Sequence, residues 1–598
     1  MRSEGFCKSF WGGHVPSGGG KLSIQFLQRR NVSKLHEFIN AEAGFNLDAE
    51  QLDVLPLLSR AHLLEALRRI PPHEIEQTLQ QHVLPVAWSP GLVLYASCGP
   101  QGIAYAADHG LRLVAAVDST DFHYAVRRVW GKKLLNHATF HLCRANFRHS
   151  AKRRATSGQI AMFIGMAMAI AAGIALLPHT AALALINAGV GLFFLSVVAL
   201  RLFCVLPGSQ PKQKITRRLS DRELPTYSVL VPVFREVAVL NQLLSALTQL
   251  DYPADKLDIK IIVEESDTTL RRALERFELP GFFEVIVVPR GKPQTKPRAL
   301  NYALQFARGE LLTIYDAEDI PERNQLRVAA QRFRNSGENL ACLQAQLVFF
   351  NADENWLARQ FTAEYATLFG LILPVLAEHG LPLPLGGTSN HFRTDILRKI
   401  GAWDPYNVTE DADLGMRLSR LGYETDVVDS LTYEEANTQF MNWTKQRARW
   451  LKGFLQTWLV HMRNPIKLVG EIGLSGFWVL QCCTIGIFVS ALFHPFLLAY
   501  TIYALGFNPL PTADDSILLT FLGGMNLAIF IIGYAVTMFA AHKAMRLRGL
   551  RHWWGTIATM PIYWLLMSIA AWLALWQFIV APFEWNKTEH GLSKLQKH

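Results

Sequence analysis

Four short stretches of this sequence collect side chains that could do chemistry together. "YDAED" (315–319) follows the apolar run "LLTI", which would deliver Asp316 and Glu318 to the C-terminal end of a strand, two residues apart. A pair of that type can hold Mg2+ or Mn2+, and the ion in turn neutralises a nucleotide diphosphate. A solvated turn would place two acids there as well. "VTEDADLGMRL" (408–418) reads as a helix start, with Thr409 as a fair N-cap and acids suited to the first turn. Asp411 at such a start could take a proton from an attacking sugar hydroxyl. "VPVFRE" (231–236) and "VEESD" (263–267) put Glu236, Glu265 and Asp267 at strand ends, where acids can accept hydrogen bonds from a base and a ribose. Surface turns carry such acids too.

The fourth stretch is "QRARW" (446–450), inside "NWTKQRARWLKGFLQTWLVHM". On a helix Gln446 and Trp450 are i, i+4 neighbours, and Arg449 lies i, i+3 from Gln446. One face then offers an amide, a guanidinium and an indole. Arginine forks onto a diphosphate, and an indole stacks on the apolar face of a sugar. With Trp443, Phe454 and Trp458 nearby, a membrane-surface helix with a basic face would explain the same residues.

These motifs need elements to position them. Across 222–435 strand-like runs alternate with helical ones: "YSVLVPVF", "DIKIIVEE", "FEVIVVP" and "ELLTIYDAED" are separated by "EVAVLNQLLSALTQL", "TTLRRALERF" and "KPRALNYALQFA". Repeated βαβ units imply a parallel, doubly wound sheet. Ligands of such sheets bind at the carboxyl ends of the strands, where both acidic clusters fall.

On either side the chain is apolar. Half of all residues are hydrophobic, only 18% are charged, and mean hydropathy is positive. That composition is too apolar for a soluble chain of 598 residues and implies membrane spans. "GQIAMFIGMAMAIAAGIALL" (158–177) and "AALALINAGVGLFFLSVVALRLFCVL" (181–206) read as a hairpin. Cations before it (Arg144, Arg148, Lys152, Arg153, Arg154) and after it (Lys212, Lys214, Arg217, Arg218) put both ends on the cytoplasmic side. The net charge of +10 is assigned to such flanks, and no nucleic-acid partner is expected. Beyond 435, the uncharged stretch 472–513 is long for one helix and short for two, 517–541 reads as a span, and 560–583 as a span or an interfacial helix. Seven scattered cysteines without a C-x-x-C pair indicate neither disulfides nor zinc. The N-terminus lacks an apolar h-region, so no cleaved leader is expected.

The expected organisation is a disordered tail (1–32), a small α+β domain (33–150), a transmembrane hairpin (155–206), an α/β domain (222–435), an amphipathic interface helix with QRARW (436–465), transmembrane helices (470–541), an interfacial or transmembrane helix (555–583) and a cytosolic tail (584–598). Four to six spans fit this pattern. The 33–150 segment faintly resembles the N-terminal domain of type II secretion ATPases. Some such domains bind cyclic di-GMP through an "RLGxxL"-type motif, which this sequence lacks.

Over 222–591 the ordered motifs resemble the membrane-embedded, processive family 2 glycosyltransferases, relatives of bacterial cellulose, curdlan, hyaluronan and chitin synthases. The resemblance implies a GT-A-like, nucleotide-sugar-binding cytosolic domain inserted between transmembrane helices. It makes Asp316 and Glu318 the Mg2+ or Mn2+ pair and Asp411 the catalytic base. Gln446, Arg449 and Trp450 match QxxRW, at the acceptor and diphosphate. "TKPRALN" (295–301) is similar to the family's "AKAGNLN", which places Lys296 and Asn301 on the nucleotide beside Glu236, Glu265 and Asp267. "GGTSNHFR" (386–393) resembles the segment lining the acceptor, so Thr388 and Glu410 join that subsite. "WNKTEHG" (585–591) is similar in place to a gating loop, with Trp585, Lys587 and Thr588.

The function so implied is an inverting, processive hexosyltransferase of the inner membrane that builds a β-linked polysaccharide, a glucan by preference, from a UDP-sugar, with UDP-glucose favoured. It would secrete the polymer through its own channel, with the bilayer, the growing chain and accessory secretion proteins as partners. The alternatives are transfer of one sugar to a membrane lipid, and a catalytically dead scaffold. The sequence departs from the family where its Asp-Asp-Gly is replaced by Glu264, Glu265, Ser266 and Asp267. It departs again in Glu318, where the family has Asp, and in lacking an FxVTxK gate and a PilZ-like domain. Those departures point toward exopolysaccharide synthases making other β-glucans.

Overall fold

The Val- and Ile-rich runs form strands, and the helical runs between them cover the sheet. A computed structural model describes residues 57–584, apart from 72–73, 82, 90–91, 98–101, 103–104, 107–108, 207–217, 507–516 and 551–553. The tail expected at 1–32 and the gating residues Trp585, Lys587 and Thr588 lie outside the described residues. The chain divides into two compact units, one running to His137 with Tyr302–Ala307 added, the other comprising Ala138–Asn301 and the chain from Arg308 onward.

In the first unit, α1 (Arg60–Arg69) and α2 (Ile75–Gln81) precede three strands, β1 (Val83–Ser89), β2 (Leu92–Ser97) and β3 (Arg112–Ala116), and α3 (Ser119–Ala145) follows. β1 and β2 pair antiparallel, and β2 and β3 pair parallel. Leu63, Leu67, Val83, Leu84, Ala115 and Trp130 are buried, and the Trp130 indole donates to the carbonyl of Leu67 (3.1 Å).

The second unit opens with two apolar helices, α4 (Ser157–Leu176) and α5 (His179–Val205). Thr156 and Gln159 form a reciprocal capping box at the start of α4. The α/β domain then runs through β4 (Tyr227–Val233), α6 (Leu240–Thr248), β5 (Leu257–Glu264), α7 (Thr268–Leu274), β6 (Phe283–Val288), α8 (Lys296–Leu304), β7 (Leu311–Ile314), β8 (Ile320–Pro321), α9 (Gln325–Arg334) and β9 (Leu340–Phe349). It continues with α10 (Trp356–Thr367), a π turn (Leu368–Ile372), α11 (Leu373–Glu378), β10 (Asn390–Arg393), α12 (Thr394–Lys399), α13 (Glu410–Arg420) and β11 (Glu424–Glu434).

Eight strands form one sheet in the order β6-β5-β4-β7-β10-β9-β11-β8. Parallel pairing of the kind expected from the βαβ pattern joins β4 to β7 and recurs between β9 and β11. β10 runs antiparallel to both β7 and β9, so the sheet is mixed. The cause is the connection after β9. The chain leaves along α10 and α11, returns extended through 381–389, and re-enters at the end of the sheet it left. A parallel strand would need a crossover to the opposite end. The core packs α6, α7 and α9 on this sheet through Leu243, Leu247, Leu270, Leu326, Phe333, Ile259 and Ile261.

After the sheet come α14 (Phe440–His461), α15 (Pro465–Gln481), a second π turn (Cys482–Gly486), α16 (Ile487–Gly506), α17 (Ile517–Leu547), α18 (Trp554–Ala558) and α19 (Met560–Val580). Among the described residues, six helices are long and apolar enough to cross a membrane: α4, α5, Trp356–Glu378, Pro465–Tyr503, α17 and α19. The stretch whose length fitted neither one helix nor two is a single run of 39 residues that passes through the π turn and bends at Gly473, where φ is +70°. The sequence reading did not single out Trp356–Glu378. Its first half, "WLARQFTAEY", carries charge, and 67% of its most apolar window is buried within the protein.

Candidate active site

The residue nearest the centre of the constellation is Lys296, at the start of α8. Its ammonium bonds the Asp316 carboxylate and the carbonyl of Gly387 (2.7 Å). Burial alone would lower its pKa, but Asp316, Glu410 and Asp411 outweigh burial and raise it. A Cβ on Gly387 would stand 3.2 Å from Asp411 Oδ2 and 3.9 Å from Lys296 Nζ. Asp316, Lys296 and Asp411 are thus gathered around one glycine.

Asp316 and Glu318 lie just past β7, which ends at Ile314. The turn is braced from beneath. Asp319, buried, accepts from the Asp316 N–H (2.7 Å) and from the Thr388 hydroxyl, and the same hydroxyl is 3.2 Å from the carbonyl of Ile314.

Asp411 sits in the first turn of α13 and accepts from the Ala412 N–H (2.7 Å). Thr409 occupies the N-cap position, yet its hydroxyl makes no capping bond. It packs instead on α14, where a Cβ on Gly453 would overlap the Thr409 side chain. Asn407 Nδ2 donates to Thr457 (2.9 Å) and the Val408 N–H to Gln456 (3.2 Å), which fastens the turn before Asp411 to the QRARW helix. Burial raises Asp411 to about 6, against the pull of the Ala412 N–H, Lys296 and Arg449. Burial and the Asp411 charge raise Glu410 to about 7.

On α14 the two arginines of QRARW part ways. Arg447 makes two bonds to Glu364 (2.8 and 2.7 Å) and one to the Tyr563 hydroxyl (2.9 Å), and lies over the rings of Phe361 and Trp450. It ties α14 to α10 and α19. Arg449 faces the acids: burial lowers its pKa, and Glu410, Asp316, Asp411 and Glu318 oppose that. Trp450 stacks on Tyr365 at 6.2 Å and meets Phe361 edge-on at 5.9 Å. Gln446 accepts from Asn437 (2.8 Å). Further along, Lys452 and Gln456 donate to the carbonyls of Glu584 and Pro582 (2.9 Å each) and so hold the chain just past α19.

One cavity of about 600 Å3 is lined by Glu236, Lys296, Asp316, Glu318, Thr388, Glu410, Asp411, Gln446, Arg449 and Trp450. Three other candidates lie elsewhere. Asn301 is buried and holds the loop before α13, donating to Trp403 O (2.7 Å) and Ala138 O (3.1 Å). Glu265 is exposed and accepts from the Arg290 N–H (3.1 Å). Asp267 caps α7 through the Leu270 N–H (3.1 Å) and accepts from the Arg235 N–H (2.6 Å). Among the acids of VEESD it is Glu264, the last residue of β5, that lines the cavity, with both oxygens 2.7 Å from Arg298 Nη2. Glu434, at the end of β11, lines it too and was not singled out; its position at a strand end was the available signal.

Does this site suit a divalent ion? Burial raises the pKa of both Asp319 and Glu434, and nearby acids add to it, Asp316 and Glu318 for Asp319 and Asp319, Glu318 and Asp316 for Glu434, so several carboxyl groups gather at this lip. Asp319 Oδ1 is buried without a hydrogen-bond partner among the described residues. Those residues contain no cluster of three or more His, Cys, Asp or Glu that forms a cage. Two carboxylates without a cage suit an ion that takes its other ligands from phosphate and water, as Mg2+ does. The residues fit such an ion.

Residues 225–453 match the family described as "Glycosyltransferase like family 2". The chain is 27% identical over 239 residues to a probable glycosyltransferase, YdaM, of Bacillus subtilis, covering 40% of this chain and 57% of that one. It is 26% identical over 294 residues to a beta-monoglucosyldiacylglycerol synthase of Synechocystis, covering 48% and 60%. It is 27% identical over 250 residues to the UDP-forming cellulose synthase 1 catalytic subunit of Komagataeibacter xylinus, covering 41% and 32%. The chain thus spans less than two thirds of the length of these curated relatives. The stretch that matches the glycosyltransferase family 2 description holds the mixed α/β sheet and the acids at its strand ends, and long apolar helices flank it on both sides.

Proposed function

We propose that the protein is a membrane-embedded inverting hexosyltransferase that uses a nucleoside diphosphate sugar, UDP-glucose first among candidates, with its α/β domain on the cytosolic face of the inner membrane. The observation that carries this reading is the convergence of Asp316, Glu318, Asp411, Arg449 and Trp450 on one cavity from three separate segments.

Asp411 takes the proton of the acceptor hydroxyl. The acceptor oxygen bonds to the anomeric carbon, and the diphosphate leaves with the pair of electrons of the broken C–O bond. Attack on the face opposite the leaving group turns an α-linked donor into a β-linked product. Arg449 lies where a guanidinium can fork onto the departing diphosphate. Glu236 and Lys296 line the donor end, and Trp450 offers an indole face to a sugar. Mg2+ or Mn2+ held by Asp316 and Glu318 would supply charge neutralisation to the leaving group.

The resemblance to processive synthases supports a polymer as product, and the match to a cellulose synthase supports the same reading. The test is to incubate the purified full chain with single UDP-sugars and Mn2+ and to follow UDP release. Release with one sugar, lost in Asp411→Asn while UDP binding persists, is expected. Normal turnover by Asp411→Asn would remove the assigned base, and no binding of any nucleotide sugar would remove the transferase reading.

A further inference from the structure

A run of cations leads into α4. Residues 144–154, "RANFRHSAKRR", carry Arg144, Arg148, Lys152, Arg153 and Arg154 and no acid, and all of these cations are exposed. Among the described residues, Arg148, Lys152 and Arg154 contact rings and a carbonyl, not carboxylates. Arg148 lies over the Phe147 ring, Lys152 over Phe140 and Tyr406, and Arg154 donates to the carbonyl of Ile579 (2.9 Å).

Three helices of membrane-spanning length end at this run. α4 starts at Ser157, just after it, and Ile579 lies in the last turn of α19. Arg463, just before the start of α15, donates to the carbonyls of Phe147 (2.6 Å), Ser150 (3.0 Å) and Arg153. Exposed apolar side chains accompany the cations, Phe147 within the run and Ile466 in the first turn of α15. Helix ends, cations and exposed apolar groups at one level mark a membrane–water boundary.

Orienting a span needs the charges but not their fixation. Here the run is fastened to the α/β domain. Asp404, fully buried, accepts from the Ser150 hydroxyl (3.0 Å), the Ala151 N–H (2.5 Å) and the Tyr406 N–H (3.2 Å). From Asp404 the chain runs directly through Asn407 and Val408 to Asp411. Arg463 follows α14, the helix that carries Arg449. The run is thus tied to the turn that bears the base and to the end of the QRARW helix.

We propose that 144–154 is a docking surface for anionic phospholipid headgroups of the cytosolic leaflet, and that Asp404, as a positioning residue, carries their occupation to the turn before Asp411. Headgroup phosphates supply the negative charge that the run lacks. With them bound, the run stays seated on Asp404 and the base turn stays aligned. Without them, five like charges repel one another and the turn loosens. The lipid is a ligand of this surface and is not consumed. The docking surface stands on its own geometry, and its effect on rate rests on the transferase reading above.

The test places the full chain in dioleoylphosphatidylcholine bilayers with trace spin-labelled phosphatidylglycerol or phosphatidylcholine, and reads the immobilised lipid by electron paramagnetic resonance. Phosphatidylglycerol should be preferred at least threefold, and high salt, which screens surface charge, should erase the preference. The triple variant Arg148→Gln, Lys152→Gln, Arg153→Gln should lose it while UDP binding, the check on folding, stays within twofold. When phosphatidylglycerol replaces phosphatidylcholine as the bulk lipid, UDP release from UDP-glucose and Mn2+ should rise at least threefold through kcat, with donor KM unchanged. Amide hydrogen exchange across 406–412 of the parent should slow in the same comparison. Asp404→Asn should keep the lipid preference and lose the rise. Equal immobilisation of the two lipids by the parent, or a preference that survives high salt or the triple substitution, overturns the docking surface. A full rise in Asp404→Asn, or unchanged exchange across 406–412, overturns the coupling through Asp404. No UDP release in either bilayer, with the lipid preference intact, overturns the transferase reading and leaves the docking surface standing.

Discussion

The Asp411 carboxylate faces Gly387 across a gap that one methyl group would fill: a Cβ at 387 would stand 3.2 Å from Asp411 Oδ2. That distance is tighter than most carbon–oxygen contacts, and the Lys296 ammonium, which donates to the Gly387 carbonyl at 2.7 Å, lies 3.9 Å from the same atom, in ordinary contact. Gly387→Ala should therefore displace the base without unfolding the sheet. Misplacing a catalytic group by about 1 Å can cost on the order of 100-fold. The expected result is a fall in kcat of that order with donor KM within a few-fold and thermal stability close to the parent. An unchanged kcat would show that Asp411 does not act from this position.

The acid limb of the pH profile should report Asp411. Burial raises it from the ordinary value of 3.8 to about 6, and only the deprotonated form can accept a proton. The value of kcat/KM should fall tenfold per pH unit below about 6, and Asp411→Asn should remove both the limb and on the order of 100- to 10,000-fold of the rate. The sign of the stability effect is opposite. Because the folded pKa is raised, the folded state holds more protons than the unfolded state between the two values, and this group favours folding as pH falls through that window. Activity should thus be lost on the acid side before structure. Parallel loss of far-ultraviolet circular dichroism and activity near pH 6 would contradict the assignment.

Much of this was legible from residue types alone. The runs around 227–233, 257–264 and 283–288 became strands because they are β-branched and apolar. YDAED lies past the end of a strand for the same reason. What the sequence hid was set by tertiary contact. The reversal of β10 follows from a connection that returns to the same end of the sheet, which no periodicity records. Glu264 and Glu265 are adjacent and chemically alike, yet the last turn of β5 sends the first into the cavity and the second to solvent. Asn301 fitted a nucleotide-contact motif, but its amide is taken by the carbonyls of Trp403 and Ala138.

Arg447 and Arg449 should fail in different ways. Arg447 is 3% exposed and its guanidinium is shared between Glu364 and Tyr563. Removing it leaves acceptors on two neighbouring helices without their donor, at a cost of about 1–3 kcal/mol. Arg447→Met should therefore lower the midpoint of thermal unfolding by several degrees. Arg449→Met should leave that midpoint nearly unchanged and weaken UDP binding at least tenfold, since Arg449 answers to the cavity acids Glu410, Asp316, Asp411 and Glu318. Differential scanning fluorimetry beside UDP titration separates the two. Equal loss of UDP affinity in both variants, with stability untouched, would make the division of labour between them untenable.

The pairing of Lys296 with Asp316 makes a prediction about the order of ligand binding. In the structure the ammonium already occupies Asp316, and the described residues bring no third acid, cysteine or histidine into a cage with Asp316 and Glu318. A divalent ion offered alone therefore meets a competing cation and too few ligands. A diphosphate changes both conditions, because it draws the lysine toward its own charge and adds oxygen ligands. Mn2+ should bind weakly to the free protein and at least tenfold more tightly once UDP is present, measured by Mn2+ electron paramagnetic resonance. Glu318→Gln should abolish most of that gain while UDP still binds in the absence of metal, and chelation with EDTA should halt UDP release from the donor. If Mn2+ bound the free protein as tightly as the UDP complex, the lysine would not be competing for the site. If Glu318→Gln kept the full gain, the ion would have to sit away from the turn after β7.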